Sequence, residues 1–594
     1  MHTFEIKEEF LLDGEPFKIM SGAIHYFRIR PDEWYHSLYN LKALGFNTVE
    51  TYIPWNLHEE VEGKFIFSDE LDIEKFVRLA EELGLHVILR PSPYICAEWE
   101  FGGLPAWLLK NKEMRIRSSD PAFIQKVANY YKELFQVISP LQIDRGGPVI
   151  MMQLENEYGS YGEDKEYLLA IYDLMLKNGV SVPLFTSDGP WEATQTAGTL
   201  LEKDILTTGN FGSRSQENFA QLKKFQERHK KKWPLMCMEF WDGWFNRWGE
   251  EIIRRDPDEL AEEVGHALEI GSINLYMFHG GTNFGFMNGC SARGSKDLPQ
   301  VTSYDYDALL DEQGNPTKKF FSVQKKVHEM FPEIKQTEPL IKKVTDPTTA
   351  YLKEKVSLFS VVEQIAHRHS SKFPKSMEEV NQNYGYLLYQ TKIEKSINEE
   401  FYRVIDASDR VHFFLNNLKL ATQYREEIGE RIFATPDEES NQLSILVENM
   451  GRVNYGHKLL AETQHKGIRT GVMSDLHFIC DWEQYSLDFS KLDSIDYQKD
   501  WTVGTPAFYR FELSVEVPTD MYLNLEKFGK GIVIVNGFNL GRFWTIGPTL
   551  SLYTPASILK EGVNEIIIFE TEGEWVDELK IEAQPKYKTL LEGK

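Results

Sequence analysis

The sequence predicts a multidomain protein in which a (β/α)8 barrel, residues 1–330, precedes two all-β domains of the sandwich, jelly-roll or galactose-binding-like kind. Three observations predict this. Short apolar runs alternate with amphipathic stretches through the first 330 residues or so. Past about residue 335 the rhythm turns to short alternating segments punctuated by Gly, Asn, Pro and Asp. The chain has 594 residues, too many for one hydrophobic core.

Eight apolar runs read as barrel strands: 17–24, 46–53, 85–90, 149–154, 182–187, 205–210, 235–239 and 273–279. Helical patterns occupy 33–44, 70–83, 120–136, 164–178, 216–231 and 257–270, between most of the runs. Near-continuous apolar strands alternating with helices mean a parallel sheet covered on both faces. An open doubly wound sheet would favour a Gly-rich phosphate loop after its first strand, and none is present. The second half offers strand-like segments at 355–361, 384–391, 410–417, 442–447, 507–516, 531–537 and 563–569. The acidic stretch 425–440 and the region 482–500 read as loops or boundaries. The resulting division is a linker over 331–380 with a β-strand joining the C-terminal β region, a first all-β domain over 381–490 and a second over 491–594.

Lys and Arg number 65 against 91 Asp and Glu, a net charge of −26 that repels nucleic acid. No run of 18 apolar residues offers a membrane span, and the start of the chain lacks a basic-then-apolar leader. Cys96, Cys237, Cys290 and Cys480 show neither a CxxC pair nor zinc spacing and read as free thiols. A cytoplasmic location is the expectation, with no metal and no cofactor.

Barrel chemistry sits where strands run out into βα loops. Strand four runs into Glu155-Asn156-Glu157-Tyr158-Gly159, and strand seven into Glu239-Phe240-Trp241-Asp242-Gly243-Trp244. One glutamate at a strand end is readily a salt-bridge partner. Two, each after an apolar strand and before aromatic and Gly residues, suit glycoside hydrolysis, which needs two carboxyl groups flanking an acetal. His25, His58 and His279 have no second histidine at metal-binding spacing and read as pocket-wall or core residues. His367 and His369 lie in a polar stretch beyond the barrel and read as surface.

The stretch from Gly146 to Gly159 resembles the active-site signature of glycoside hydrolase family 35, the β-galactosidases. The resemblance continues through 51–56, 93–99, 102–107, 279–284 and 302–307, then through 448–456 and 537–544 in the β-rich half. The organisation is similar to the bacterial, signal-less branch of the streptococcal type, which cleaves β1,3-linked galactose. The resemblance implies a retaining exo-β-galactosidase with Glu157 as acid/base and Glu239 as nucleophile. It implies galactose contacts from Tyr52, Ala97, Glu98, Asn156 and Tyr306: Asn156 donating to the sugar 2-OH, Glu98 accepting from two adjacent hydroxyls, Tyr306 reaching Glu239. Trp241 and Trp244 read as a platform for the leaving sugar, because apolar sugar faces pack on aromatic rings, or as core of their own loop. The family motif draws Tyr455 to the same rim. The expected partner is a β-galactoside oligosaccharide carrying galactose on GlcNAc or GalNAc, and a homodimer is compatible with the family. Two rivals remain: an exo-β-glucosaminidase or other β-glycosidase on the same barrel, and a galactoside-binding protein without catalysis.

Overall fold

The computed structural model describes residues 2–588. Eight parallel strands close into a barrel in chain order: β1 Met20–Ile24, β2 Thr48–Tyr52, β3 His86–Arg90, β4 Val149–Gln153, β5 Leu184–Asp188, β6 Leu206–Asn210, β7 Met236–Trp241 and β8 Ser272–His279. Every residue of β1, β2, β4, β5, β6 and β8 is buried. Their neighbours inside the barrel and the helices outside it leave no wet face, so the strands show no polar–apolar alternation; Thr48–Tyr52, Leu184–Asp188 and Leu206–Asn210 bury polar residues among the apolar ones.

The outer helices are α1 Trp34–Ala43, α2 Ile73–Glu82, α3 Pro121–Ile138, α4 Lys165–Lys177, α5 Glu192–Gly198, α6 Ser215–Arg228, α7 Pro257–Ile270 and α8 Lys318–Met330. Aspartates start four of them. Asp72, Asp120, Asp164 and Asp256 each accept a hydrogen bond from a backbone N–H of the first turn, and Asp120 and Asp256 precede a proline at the first helical position. The helical patterns read in the sequence omit α5 and α8. α5 has two threonines and a glycine in seven residues, a weak helix former. α8 follows a long excursion after β8, outside the regular strand–helix spacing.

Among the described residues the β-rich half contains three sheets, of six, four and eight strands. A six-stranded sheet includes Tyr386–Ile393, Asn441–Glu448 and Arg410–Leu415, and a four-stranded sheet is built on Glu400–Ser408 and Gly467–Ser474. Leu387, Tyr389, Phe413, Ile445 and Val447 of the six-stranded sheet pack with residues of the four-stranded one. The alternate residues Tyr386, Leu388, Phe414 and Leu446 pack against Phe508, Ile532 and Phe569 of an eight-stranded terminal sheet. Period-two alternation places successive side chains on opposite faces, so a sheet sandwiched on both sides needs apolar residues at every step.

Two sequence assignments are corrected here. The segment 355–361 is only partly strand: Thr348–Ser357 pairs between Ala507–Val515 and Glu578–Glu582 in the terminal sheet, and helix α9, Leu358–Ile365, follows. Leu358, Val361, Val362 and Ile365 are its buried face, a helical period that a short apolar run hides. The region 482–500 is not all loop, since Trp482–Leu487 pairs on both sides within the six-stranded sheet. Its inward Gln484 is satisfied by Ser371 Oγ at 2.6 Å and the Lys375 amide at 2.7 Å, so a polar residue sits where a hydrophobicity pattern expects none.

The β domains are locked to the barrel by buried charge. Arg452 Nη1 donates to Glu100 of the barrel side at 2.8 Å and its Nη2 to Glu378 at 2.7 Å. Arg542 and Lys530 both meet Glu448, at 2.8 and 2.6 Å, while Arg542 also donates to Asn288 at 2.8 Å. Directed contacts of this kind set one docking geometry, which carries the loop 449–456 to the barrel mouth. Among the described residues no helix is long and apolar enough to cross a membrane.

Candidate active site

A cavity of about 310 Å³ opens at the C-terminal ends of the barrel strands, and both Glu157 and Glu239 line it. Glu239 lies in β7 where the strand register slips against both neighbours, between Cys237 and Glu239 on one side and between Cys237 and Phe240 on the other. Such a bulge re-aims a side chain at a barrel rim. Its carboxylate collects three donors. Arg90 Nη2 lies 2.7 Å from Oε1, the Tyr52 hydroxyl 2.6 Å from the same oxygen, and Trp241 Nε1 3.2 Å from Oε2.

Glu157 is reached through a turn in which Glu155 and Glu157 both take left-handed backbone angles, φ 53° and 45°. Non-glycine residues enter that region at a cost, and its concentration at a barrel mouth is typical of functional sites. The turn separates the two glutamates. Glu155 points away from the cavity into a fork with Arg117 at 3.0 and 2.8 Å and a bond from the Tyr167 hydroxyl at 2.8 Å. Glu157 faces the cavity and accepts one bond, from Asn210 Nδ2 at 3.0 Å. Burial pushes its carboxyl up to about 8, and the charge of Glu239 adds to the effect.

Ala97 and Glu98 line the same cavity on a loop where Cys96, Ala97 and Glu98 are consecutively left-handed, φ 55°, 52° and 47°. Arg28 holds this strained run by donating to the Ala97 and Glu98 carbonyls. One Glu98 oxygen accepts from the Tyr304 hydroxyl, and the carboxylate keeps further acceptor positions. Burial pushes the Glu98 carboxyl up to about 7, against the pull of the Tyr304 hydrogen bond and of Arg28.

Tyr306 is on the cavity wall, packed edge-on to Tyr276 at 5.6 Å. It makes no hydrogen bond to Glu239; Arg90, Tyr52 and Trp241 supply that carboxylate's donors instead. Tyr52 and Asn156 are buried and do not line the cavity itself; they meet the site through Glu239 and Arg90. The Tyr52 hydroxyl is 2.6 Å from Glu239 and 2.9 Å from Asn156 Oδ1, and its single proton goes to the nearer, charged acceptor. Asn156 Oδ1 also accepts from Arg90 and Gln153, each at 2.9 Å, and its Nδ2 faces the Ile95 carbonyl at 3.4 Å. Arg90 joins the two: its guanidinium donates to Asn156 Oδ1 and lies 3.9 Å from the centre of the Tyr52 ring.

Trp241 and Trp244 line the cavity beside Glu239, their rings edge to face at 5.6 Å. Gly243 between them is required: a Cβ there would stand 1.7 Å from the Tyr306 carbonyl oxygen, the group that accepts from the Trp244 amide at 3.0 Å. Asn454 and Tyr455 reach the wall from the first β domain, and Tyr455 keeps 46% of its surface exposed. His25, His58 and His279 are core residues, absent from the cavity wall.

Residues 9–330 match the family described as "Glycosyl hydrolases family 35". Residues 374–488 match "Beta-galactosidase, first all-beta domain" and 506–564 match "Beta-galactosidase, galactose-binding domain". The chain is 39% identical over 584 residues to "Beta-galactosidase-1-like protein 3" of Mus musculus, covering 95% of this chain and 86% of that protein. It is 39% identical over 555 residues to "Beta-galactosidase" of Xanthomonas manihotis, with 92% and 90% covered. The chain belongs to glycoside hydrolase family 35. It is a glycoside hydrolase with the domain set of a β-galactosidase.

Several residues of this family 35 site escape a reading of motifs. Asn210 ends β6 and pairs in register with Glu239. Arg90 ends β3 and is fully buried among Glu239, Glu50 at 3.7 Å and the Tyr52 ring, whose centre is 3.9 Å away. Its signal was present in the sequence: a charge closing an apolar strand, the same placement that marks Glu239. Replacing Arg90 by Leu strands two buried carboxylates without a counter-charge. The expected loss is about 3–5 kcal/mol, the usual cost of breaking a buried pair by removing one partner. A lowered urea midpoint at unchanged slope checks it.

Proposed function

We propose that this family 35 hydrolase releases terminal non-reducing β-D-galactose from oligosaccharides by double displacement with retention, with Glu239 as nucleophile and Glu157 as acid/base. One observation carries the reading: two carboxyl groups share one cavity in opposite surroundings. Glu239 has the partners of an anion, Arg90 above all. Glu157 has a single neutral donor, and its desolvation favours the protonated form at neutral pH. Groups pushed apart in this way take separate acid and nucleophile roles. Glu239 attacks the anomeric carbon while Glu157 gives its proton to the departing oxygen. Once the ester has formed, the Glu239 charge is gone and Glu157 becomes easier to ionise. It then takes a proton from water, which opens the ester.

Galactose sits against Ala97, Glu98 and Tyr306 in this reading. The free Glu98 oxygen accepts from a sugar hydroxyl, and Tyr52 and Asn156 act through Glu239 and Arg90. Trp241, Trp244 and Tyr455 form the wall for the leaving sugar. In this reading the galactose is β1,3-linked to GlcNAc or GalNAc, the linkage implied by the resemblance drawn from the sequence. The test is a substrate panel followed by NMR: lacto-N-biose, N-acetyllactosamine and lactose, with nitrophenyl β-galactoside, β-glucoside and β-glucosaminide alongside. The expected result is fastest cleavage of lacto-N-biose and β-galactose as the first-formed anomer. First-formed α-galactose would overturn retention, and faster hydrolysis of the glucosaminide would overturn the sugar assignment.

A further inference from the structure

We propose that Arg247 is a specificity residue of this site, donating to an oxygen acceptor on the leaving sugar, either an acetamido carbonyl or a sulfate ester. The inference rests on the galactosidase reading above and extends it. Among the described residues the cavity is lined by three carboxyl groups, Glu98, Glu157 and Glu239, and by a single cation, Arg247. That cation stands on the segment that supplies the aromatic wall, three residues after Trp244. Its guanidinium lies 4.9 Å from the Phe245 ring centre, and Phe245 in turn stacks on Trp244 at 5.1 Å. The backbone of Arg247 is pinned by a bridge to Gln300. Ser291 and Ala292, also on the wall, come from the adjacent hairpin Cys290–Arg293 and Lys296–Pro299.

A structural role does not exhaust this side chain. Among the described residues its one side-chain hydrogen bond goes from Nη1 to Glu250 at 3.2 Å. Glu250 is already met by Arg293 Nη2 at 3.1 Å, so it does not need Arg247 for neutralisation. Nε is buried without any partner, and the side chain as a whole is 19% exposed. A guanidinium carries five N–H donors in a rigid fork. Here the ring of Phe245 and one carboxylate hold the fork still, and among the described residues Nη2 has no acceptor. A preorganised donor set of this kind suits a planar or anionic oxygen group fixed on a bound sugar. A glucose leaving group, with hydroxyls only, offers it a weaker acceptor.

The experiment measures kcat/KM of wild type, Arg247→Met and Arg247→Lys on nitrophenyl β-galactoside, lactose, lacto-N-biose and 6-sulfated lacto-N-biose. For Arg247→Met, the ratio of 6-sulfated lacto-N-biose to nitrophenyl β-galactoside, with or without that of lacto-N-biose itself, is expected to fall about 10–100-fold, the range for losing one charged hydrogen bond, and mainly through KM. A drop shared by both lacto-N-bioses identifies the acetamido carbonyl as the acceptor, and a drop confined to the sulfated one identifies the sulfate. The Lys variant keeps the charge without the fork and is expected to fall between wild type and Met, which separates recognition from collapse of the loop. Equal losses on all four substrates, or none on either lacto-N-biose, would overturn the proposal. A wild-type enzyme that frees no galactose from any of them would instead sink the galactosidase reading itself.

Discussion

Replacing Glu239 by glutamine is expected to cut kcat on nitrophenyl β-galactoside by about 10⁴-fold or more, at or beyond the top of the range for a lost acid/base group. An amide forms no glycosyl ester, and its neutral oxygen gives Arg90 and Tyr52 a poorer acceptor than the carboxylate they hold at 2.7 and 2.6 Å. The two contributions act on one atom, so the loss exceeds what either predicts alone. The substitution is close to isosteric and is expected to leave the fold intact, which a circular dichroism spectrum and melting curve check. Glu155→Gln is the companion: Glu155 is tied to Arg117 away from the cavity, so its cost is expected in stability more than in turnover. Wild-type turnover in the Glu239 variant would remove the basis of the mechanism.

Glu157→Ala is expected to lower kcat/KM about 10²–10⁴-fold on galactosides with poor leaving groups, and much less on a dinitrophenyl galactoside that departs without a proton. Azide, small enough for the space left by the side chain, is expected to restore part of the activity and to yield β-galactosyl azide. An α-azide product would contradict retention. The same group sets a pH dependence. Acid catalysis needs the proton that Glu157 holds up to about 8, so wild-type kcat/KM is expected to fall as pH rises through that value. Glu98, pushed up to about 7 in the same cavity, contributes to the alkaline limb, and Glu157→Gln removes only the component belonging to Glu157. Stability has a matching sign. An unfolded chain ionises this glutamate near 4.5, whereas the fold retains its proton until about 8. The unfolded state therefore binds fewer protons between those values, and Glu157 costs stability progressively as pH rises from 4.5 to 8. Glu157→Gln is accordingly expected to melt above wild type at pH 8 and to match it at pH 4.

Most of what positions the site was legible in one dimension. A parallel strand buried on both faces shows no polar–apolar alternation, so the eight runs can be counted even where Thr, Ser and Asn interrupt them, and a carboxylate closing such a run has few places to go but the barrel mouth. Two signals were ambiguous for physical reasons. A short apolar run serves a strand or a buried helix equally, which is why the segment 355–361 reads as strand although a helix begins at Leu358. Buried polar residues such as Gln484 depend on partners distant in sequence, Ser371 and Lys375, and no local pattern reveals those.

Spacing and periodicity by themselves determined the barrel, the β-rich half and the pair of strand ends that carry Glu157 and Glu239, because these follow from short-range rules of burial and chain direction. Tertiary structure turned Glu157 into the cavity and Glu155 out of it to Arg117, the assignment that the family resemblance implies. It also buried Tyr52 and Asn156 beside Arg90, set Tyr455 of another domain on the cavity wall, and left the Arg247 fork with an unused donor. Those outcomes depend on where charged groups find counter-charges in three dimensions. A buried ion must be paired wherever the fold brings a partner, however far away that partner lies along the chain.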